Sequence, residues 1–519
     1  MTEPHQDLRS LVAEAAAVGT AEARWQAVSA VRPELVEGLL HGSADASASR
    51  AVVVATGVAA SPGATSGALC LDVDDVLDAA DEGRDAVLVC VETTPADEVG
   101  MRLAAGIVTA RGGTASHAAV MARGWGIPAV VGVDGLEVAE DHAVVGGHRI
   151  DRGAEVGLDG GTGEVFAGTL ATGPSGSGAD LSALEELLSW ADEVRGERVG
   201  VWANVDRADD AALARSLGAE GVGLCRTEHL FLGDRLPLVR QFLLAEDLEA
   251  ETAALNALAE VQRQDLAAVL ATMAPLPVTV RLLDAPLHEF LGDDAPSEWR
   301  EHNPMLGTRG VRLAVLREGL YRMQVRALAA ALADAADAGA NPHARVMVPL
   351  VSTAEEMALV GGWIRDEIAS ATPDGASLGV LPVGMMVETP RAALLAGDMA
   401  RHAEFFSFGT NDLTQMVFGL SRDDAGQRLM GEYLERGLLA GDPFARLDEG
   451  VVAPMVAAAT RAGRLVRPDL PVSVCGEHGG DPASISLLVA AGVDHVSCSP
   501  YRVPVARLAV AQALVEMDR

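Results

Sequence analysis

Phe405-Phe-Ser-Phe-Gly-Thr-Asn-Asp-Leu-Thr-Gln415 is the stretch whose reading decides the fold of this 519-residue chain. Phe405 to Phe408 is an apolar run of strand length, Gly409 to Asn411 allow a tight turn, and Asp412 stands just past the end of the run. The same unit recurs. From Arg198 onward there are eight such runs, separated by helical patterns: Val199 to Val205, Gly221 to Cys225, Val278 to Leu283, Val346 to Val351, Val383 to Val387, Phe405 to Phe408, Val472 to Cys475 and His495 to Cys498. Eight βα units in series predict an α/β protein with a (β/α)8 TIM barrel. Polar residues at the C-terminal ends of the runs mark its reactive rim: Arg226, Asp284, Glu388, Asn411 with Asp412, Cys475 with Glu477, and Ser499. Arg281 falls inside its run, three residues before Asp284, so strict alternation need not put both on one side. A doubly wound sheet is the alternative architecture.

Upstream, Gly106-Ile-Val-Thr-Ala-Arg-Gly-Gly-Thr-Ala-Ser-His-Ala-Ala-Val-Met-Ala-Arg123 reads as strand, Gly-rich turn and helix, with Ser116 near the N-cap and His117 at the helix start. Free N–H groups and the positive end of a helix dipole would stabilise a phosphoryl group there, and would disfavour protonation of an imidazole that must attack phosphorus as a neutral ring. A lone histidine at such a place is ordinarily a helix cap. The Gly-Gly-x-x-Ser-His-Ala-Ala context instead favours a phosphoryl carrier.

Composition narrows the chemistry. All 39 basic residues are arginine, which removes Schiff-base lysine catalysis and a P-loop lysine. A formal charge of −35 argues against nucleic acid as a partner and requires any anionic substrate to be met by a local arginine cluster. Cys70, Cys90, Cys225, Cys475 and Cys498 show no zinc-ligand spacing and are odd in number, which fits a reducing compartment. The N-terminus does not read as a signal peptide and no apolar run is long enough to span a bilayer, so the expectation is a cytoplasmic protein with no membrane partner.

Periodicity and linker composition divide the chain. Residues 1–48 read as a helical arm and linker, 51–170 as a small α/β domain carrying His117, 171–182 as a second linker, and 183–519 as the barrel. Glu388 and Asp412 end consecutive barrel strands and could share an octahedral Mg²⁺ with substrate oxygens and water. Paired acids at strand ends are often only helix caps, but the Gly409-Thr-Asn-Asp412 turn lets the backbone approach closely. Arg226, Arg281 and Arg309 lie where they could clamp a carboxylate and a phosphate bidentately. Cys475, followed by Gly476-Glu-His-Gly-Gly480, lies at the barrel mouth with a carboxylate and an imidazole nearby in sequence, which suggests proton transfer; Cys225 and Cys498 are expected to be packing residues.

Taken together, these segments resemble the phosphoenolpyruvate-utilising family, in its pyruvate phosphate dikinase branch. The resemblance rests on Gly57-Val-Ala-Ala-Ser-Pro-Gly63, the His117 loop, Gly223-Leu-Cys-Arg-Thr-Glu-His229, Val280-Arg-Leu-Leu-Asp284 and Asn303-Pro-Met-Leu-Gly-Thr-Arg309. Further on it includes the Phe405–Gln415 stretch, Ser421-Arg-Asp-Asp-Ala-Gly426, Cys475-Gly-Glu-His-Gly-Gly-Asp481 and Ser497-Cys-Ser-Pro-Tyr-Arg-Val-Pro504. It implies a swivelling domain in which His117 is phosphorylated, and a barrel in which Glu388 and Asp412 hold Mg²⁺. It further implies that Arg281 and Arg309 bind the phosphate and carboxylate of phosphoenolpyruvate, that Gly409, Thr410 and Asn411 contact substrate, and that Arg226 and Arg422 are additional anion contacts. Cys475 would protonate the enolate to give pyruvate.

Two departures from that pattern matter. Family dikinases carry an ATP-grasp domain before the histidine domain, and the chain before residue 51 is too short for one, so the full dikinase reaction is expected to need a separate ATP-grasp subunit. Where dikinases have Met-Thr-Ser-His, this chain has Thr114-Ala-Ser-His117, which removes the threonine hydroxyl used for regulatory phosphorylation in some relatives. Two other readings compete: an enzyme I-like phosphotransferase passing phosphate to a histidine-containing phosphocarrier protein, and a non-catalytic sensor of phosphoenolpyruvate or pyruvate. A homodimer through the barrel is a further implication of the resemblance.

Overall fold

The computed structural model describes residues 8–40, 43–44, 51–94, 97–113, 116–173, 178–231, 235–291, 299–371, 381–422 and 429–519. The chain divides into two compact units, one comprising Met1–Gly196, Gly419–Arg446 and Arg507–Arg519, the other Glu197–Phe418 and Leu447–Ala506.

The second unit contains a closed barrel of eight parallel strands: Gly200–Asn204, Val222–Arg226, Pro277–Arg281, His343–Val348, Val383–Val387, Phe406–Phe408, Val472–Val474 and His495–Cys498. They pair in chain order, and the last closes on the first with His495 opposite Gly200 and Cys498 opposite Ala203. All eight expected apolar runs are therefore barrel strands. Inside, Leu224, Met347, Met386, Phe405 and Cys475 pack as one cluster, so the barrel is filled by side chains rather than hollow. The third strand stops at Arg281, and the chain runs on without strand geometry through Leu282 and Leu283. Alternation consequently ends there, which brings Arg281 Nη1 to 3.4 Å from Asp284 Oδ2, closer than strict alternation suggested.

In the first unit, the expected N-terminal helical arm is three helices, Leu8–Val18, Ala21–Ala30 and Pro33–Leu40. The first two pack on helix Gly178–Arg195, and Gln512 Nε2 donates to the carbonyls of Val28 and Val31 at 2.8 and 2.7 Å. Beyond them lies an eight-stranded sheet in the order Val52–Thr56, Glu164–Ala167, Glu155–Asp159, Ala64–Cys70, Ala86–Cys90, Gly106–Thr109, Ala129–Val131, Val58–Ser61. Its four middle parallel strands run from Ala64–Cys70 to Ala129–Val131. The last three of these are nearly continuous apolar runs because both faces are covered. On one face Val76, Met101, Ala118, Ala119 and Ala122 bring three helices against the sheet; on the other, Ala143, Val145 and Ile150 bring a small antiparallel sheet.

Candidate functional site

At the barrel's C-terminal end the charged side chains predicted from sequence converge. Glu388 follows strand Val383–Val387 directly, Asp412 lies in the first turn of helix Thr410–Phe418, and Arg309 precedes helix Val311–Leu316. Arg309 grips Asp284 with two parallel hydrogen bonds of 2.8 Å and reaches Asp412 Oδ2 at 2.9 Å. Arg281 is bonded to Glu228 as well as facing Asp284. Such fork-shaped pairing of a guanidinium and a carboxylate fixes both in orientation.

Four carboxylates thus face two guanidiniums, and the one that neither arginine bonds among the described residues is Glu388, which is only 1% exposed. Burial, reinforced by the neighbouring Asp412 and Asp284 carboxylates and only partly countered by Arg281 and Arg309, pushes its carboxyl well above the ordinary range. Asp284 goes the other way: burial works against its charge, but Arg309 and Arg281 outweigh it and hold it ionised. Oxygens of Asp284, Glu388 and Asp412 lie within 4.8 Å of one another, a set of hard donors that suits a divalent cation such as Mg²⁺. Arg309 takes up both oxygens of Asp284 and one of Asp412, whereas Glu388 is bonded to neither arginine among the described residues.

The backbone around Glu388 is built tightly. Leu350, the one non-glycine residue with positive φ (56°) among the described residues, aims its N–H at Glu388 Oε1, 2.6 Å away. A Cβ on Gly409 would fall 2.7 Å from Glu388 Oε2, so only glycine lets the Phe406–Phe408 strand turn beside that carboxylate. Glu228 Oε2 and Arg281 Nε are buried without hydrogen-bond partners among the described residues, so the mouth holds unused polar capacity for a ligand.

Cys475 lies immediately beyond strand Val472–Val474, with Ser407 Oγ 3.3 Å from its sulfur and Asn204 Nδ2 bonded to its carbonyl at 3.0 Å. Burial pushes the thiol up to about 11, against the opposing pull of the Ser407 hydrogen bond and Arg281, so it is protonated at neutral pH. The imidazole of the same loop is held by Thr410, whose Oγ1 also lies against Gly476: His478 Nδ1 is 2.8 Å from Thr410 Oγ1. Asn411 Oδ1 accepts from the Glu477 N–H at 3.0 Å. Thr410 and Asn411 therefore tie the Cys475 loop to the Asp412 helix. Arg226 stands at its strand end beside Asp206, its N–H donating to Oδ1 at 2.7 Å. Arg422 precedes the undescribed residues 423–428 and belongs to the other unit. Cys225 and Cys498 are buried free thiols, as packing residues should be.

The second centre is His117. Strand Gly106–Thr109 is wholly buried, and the chain then turns through Gly112, whose φ of 116° excludes side chains. Ser116 caps the helix His117–Trp125 through the Ala119 N–H, and Gly126 closes it in a left-handed conformation. Thr114 and Ala115, the site of the local departure, lie outside the described residues. His117 Nδ1 is 2.9 Å from Thr93 Oγ1, while Glu98 Oε1 is 3.5 Å from Nε2 without making a hydrogen bond.

Residues 179–515 match the model of the PEP-utilising enzyme, PEP-binding domain, and residues 83–163 that of the PEP-utilising enzyme, mobile domain. The chain belongs to the PEP-utilising enzyme family. It is 44% identical to pyruvate, phosphate dikinase 1, chloroplastic, of Arabidopsis thaliana, over 94% of this chain and 53% of that one. It is 42% identical to pyruvate, phosphate dikinase 2 of Oryza sativa subsp. japonica, over 95% of this chain and 58% of that one. The chain thus spans little more than half the length of these PEP-utilising relatives. No helix among the described residues is long and apolar enough to cross a membrane.

Glu228, Ser407, Thr93 and Glu98 were not singled out from sequence. Glu228 sits inside the quoted Gly223–His229 string, two residues past Arg226, and a buried arginine in a strand calls for such an acid. Thr93 and Glu98 carried no sequence signal, since they reach His117 only through the packing of two adjacent strands.

Proposed function

We propose that this chain reversibly transfers a phosphoryl group between phosphoenolpyruvate and His117, using Mg²⁺ held by Glu388 and Asp412. The observation that carries the reading is the convergence, at one barrel mouth, of an acidic cation site, two buried arginines and a protonated thiol. The cation would stabilise negative charge on the phosphoryl and enolate oxygens. Arg281 and Arg309, already oriented by their carboxylates, bind the substrate's phosphate and carboxylate, and cost no reorganisation when charge develops. Cys475 delivers its proton to the methylene carbon of the enolate, forming pyruvate. A thiol suits this step because burial keeps it protonated while its position is fixed by Ser407.

The test is incubation with Mg²⁺ and phosphoenolpyruvate followed by intact-mass analysis. An acid-labile phosphoryl adduct is expected, absent in His117→Ala. Cys475→Ala should lower pyruvate formation by about 10²- to 10⁴-fold while leaving phosphoenolpyruvate binding within a few-fold. No adduct, or one that survives His117→Ala, would favour a sensor instead. Once the adduct forms, adding AMP and pyrophosphate with an ATP-grasp polypeptide, or adding a histidine-containing carrier, identifies the onward acceptor.

A further inference from the structure

The two nitrogens of the His117 ring face opposite demands. Nδ1 lies 2.9 Å from the hydroxyl oxygen of Thr93, whereas Nε2 is buried without a hydrogen bond and faces the Glu98 carboxylate 3.5 Å away. A neutral imidazole carries one N–H, and the nitrogen that attacks phosphorus must be the other one. Glu98 alone would draw the proton onto Nε2 and block that nitrogen. Thr93 offers the opposite: its oxygen can accept a hydrogen bond from Nδ1–H, which leaves the lone pair on Nε2.

Local structure holds Thr93 where this requires. It follows strand Ala86–Cys90, which lies parallel to strand Gly106–Thr109, with Cys90 opposite Thr109, so the loops leaving the two strands emerge side by side. The next residue staples the Thr93 loop, since both the N–H and the hydroxyl of Thr94 donate to Asp97 Oδ2, at 2.7 and 2.9 Å.

We infer that Thr93 is a positioning residue: it accepts the hydrogen bond of His117 Nδ1–H and thereby makes Nε2 the nitrogen that takes the phosphoryl group. The inference rests on the reading of His117 as phosphoryl carrier. In the step itself the Nε2 lone pair forms the N–P bond, the P–O bond to the enol oxygen breaks, and its electrons stay on the enolate. The ring gains positive charge while the Nδ1 proton stays in place. Nδ1–H becomes a stronger donor as that charge grows, so the bond to Thr93 is worth more in the transition state than before it, in both directions of transfer. Glu98 begins the short helix Glu98–Leu103 and its side chain is partly exposed, so the incoming group, of like charge, can displace it toward solvent.

Thr93→Val keeps the shape and removes the hydroxyl; Thr93→Ser keeps the hydroxyl. Nitrogen-15 NMR of the unphosphorylated full chain should show His117 as the Nδ1–H tautomer in the unaltered protein and in Thr93→Ser, and a shift toward Nε2–H in Thr93→Val. With Mg²⁺ and phosphoenolpyruvate, adduct formation should slow by about 10- to 100-fold in Thr93→Val and stay within a few-fold in Thr93→Ser. Phosphorus NMR should place the group on Nε2 in the unaltered protein and partly on Nδ1 in Thr93→Val. An Nε2–H ring in the unaltered protein, or a Thr93→Val variant with unchanged tautomer and rate, overturns the inference. A chain that forms no adduct overturns the proposed function instead, and the tautomer measurement still decides the role of Thr93. If Thr93→Val does not fold, the tautomer of the unaltered protein decides it alone.

Discussion

The two ends of the barrel both bury arginine, and they hold it by different means. At the C-terminal mouth Arg309 is clasped by Asp284 and Asp412, and although burial acts against its charge, those carboxylates raise its proton affinity above the ordinary value. At the N-terminal foot Arg345 has no carboxylate within ion-pair distance among the described residues; its guanidinium lies 4.9 Å from the Trp202 ring centroid and 5.9 Å from that of Phe405. There burial acts unopposed and lowers its proton affinity. One end fixes cations with counter-charges, which a ligand can exchange for its own; the other covers a cation with aromatic faces, which hold it but offer no exchange. The charges at the mouth are thus open to exchange with a ligand's, and the one at the foot is not.

The sharpest way to break this contrast is Arg309→Met. It leaves buried Asp284 and half-buried Asp412 facing each other with Arg281 and Arg312 as the remaining cations, and removing one partner from such an ion-pair network should cost about 3–5 kcal/mol of stability. Phosphorylation by phosphoenolpyruvate should fall by about 10²- to 10³-fold or more in protein that remains folded. Urea denaturation and the mass-shift assay check the two parts. A stable, active variant would mean that the mouth does not depend on paired charge.

The strands behind the mouth were legible because the apolar runs are unambiguous, and Glu388 and Cys475 directly follow two of them. Asp412, expected at a strand end, lies instead in the first turn of helix Thr410–Phe418, because strand Phe406–Phe408 stops four residues earlier. Illegible was anything that depended on where alternation stops, as with Arg281 meeting Asp284, or on which hydroxyl fills a given space, as with Ser407 beside Cys475. The hydroxyl that meets His478 was equally illegible, since the short helical turn Glu477–Gly480 sets the ring against Thr410. The foot gave no functional signal, because a histidine or tryptophan at the start of a strand looks like any packing residue.

A smaller effect is expected at the foot, from His495. Its ring lies 4.3 Å from that of Trp202, and burial, with the positive charge of Arg345 adding to it, pulls its pKa down to about 4 against the opposing carboxylates Asp494 and Glu220. An unfolded chain would protonate this imidazole near its ordinary value of about 6.5. The folded value is the lower one, so its contribution to stability is complete above about 6.5 and is lost as pH falls toward about 4. Between pH 7 and 4.5 the protein should lose about 2 kcal/mol through this residue. His495→Phe, which keeps an aromatic ring against Trp202, should remove that share of the acid sensitivity in paired urea titrations; an unchanged loss would show that His495 is not strained at the foot.

The smallest effect is predicted for Arg345→Met, and it sharpens the comparison most. The change gives up two ring contacts, worth about 1–2 kcal/mol when desolvated, but also relieves the burial of a charge that no carboxylate offsets. These terms oppose each other, so net stability should move by no more than about 1 kcal/mol, in contrast to the loss at Arg309. Phosphoryl transfer should be unaffected, since Arg345 sits near the start of its strand rather than at the rim. One local property must nevertheless shift. Arg345 helps to depress His495, so removing its charge should raise the His495 pKa from about 4 toward the ordinary value, as read by NMR titration of that ring. A His495 that titrates unchanged in Arg345→Met would mean that burial alone holds it neutral and that the cation at the foot acts on nothing but the rings it covers.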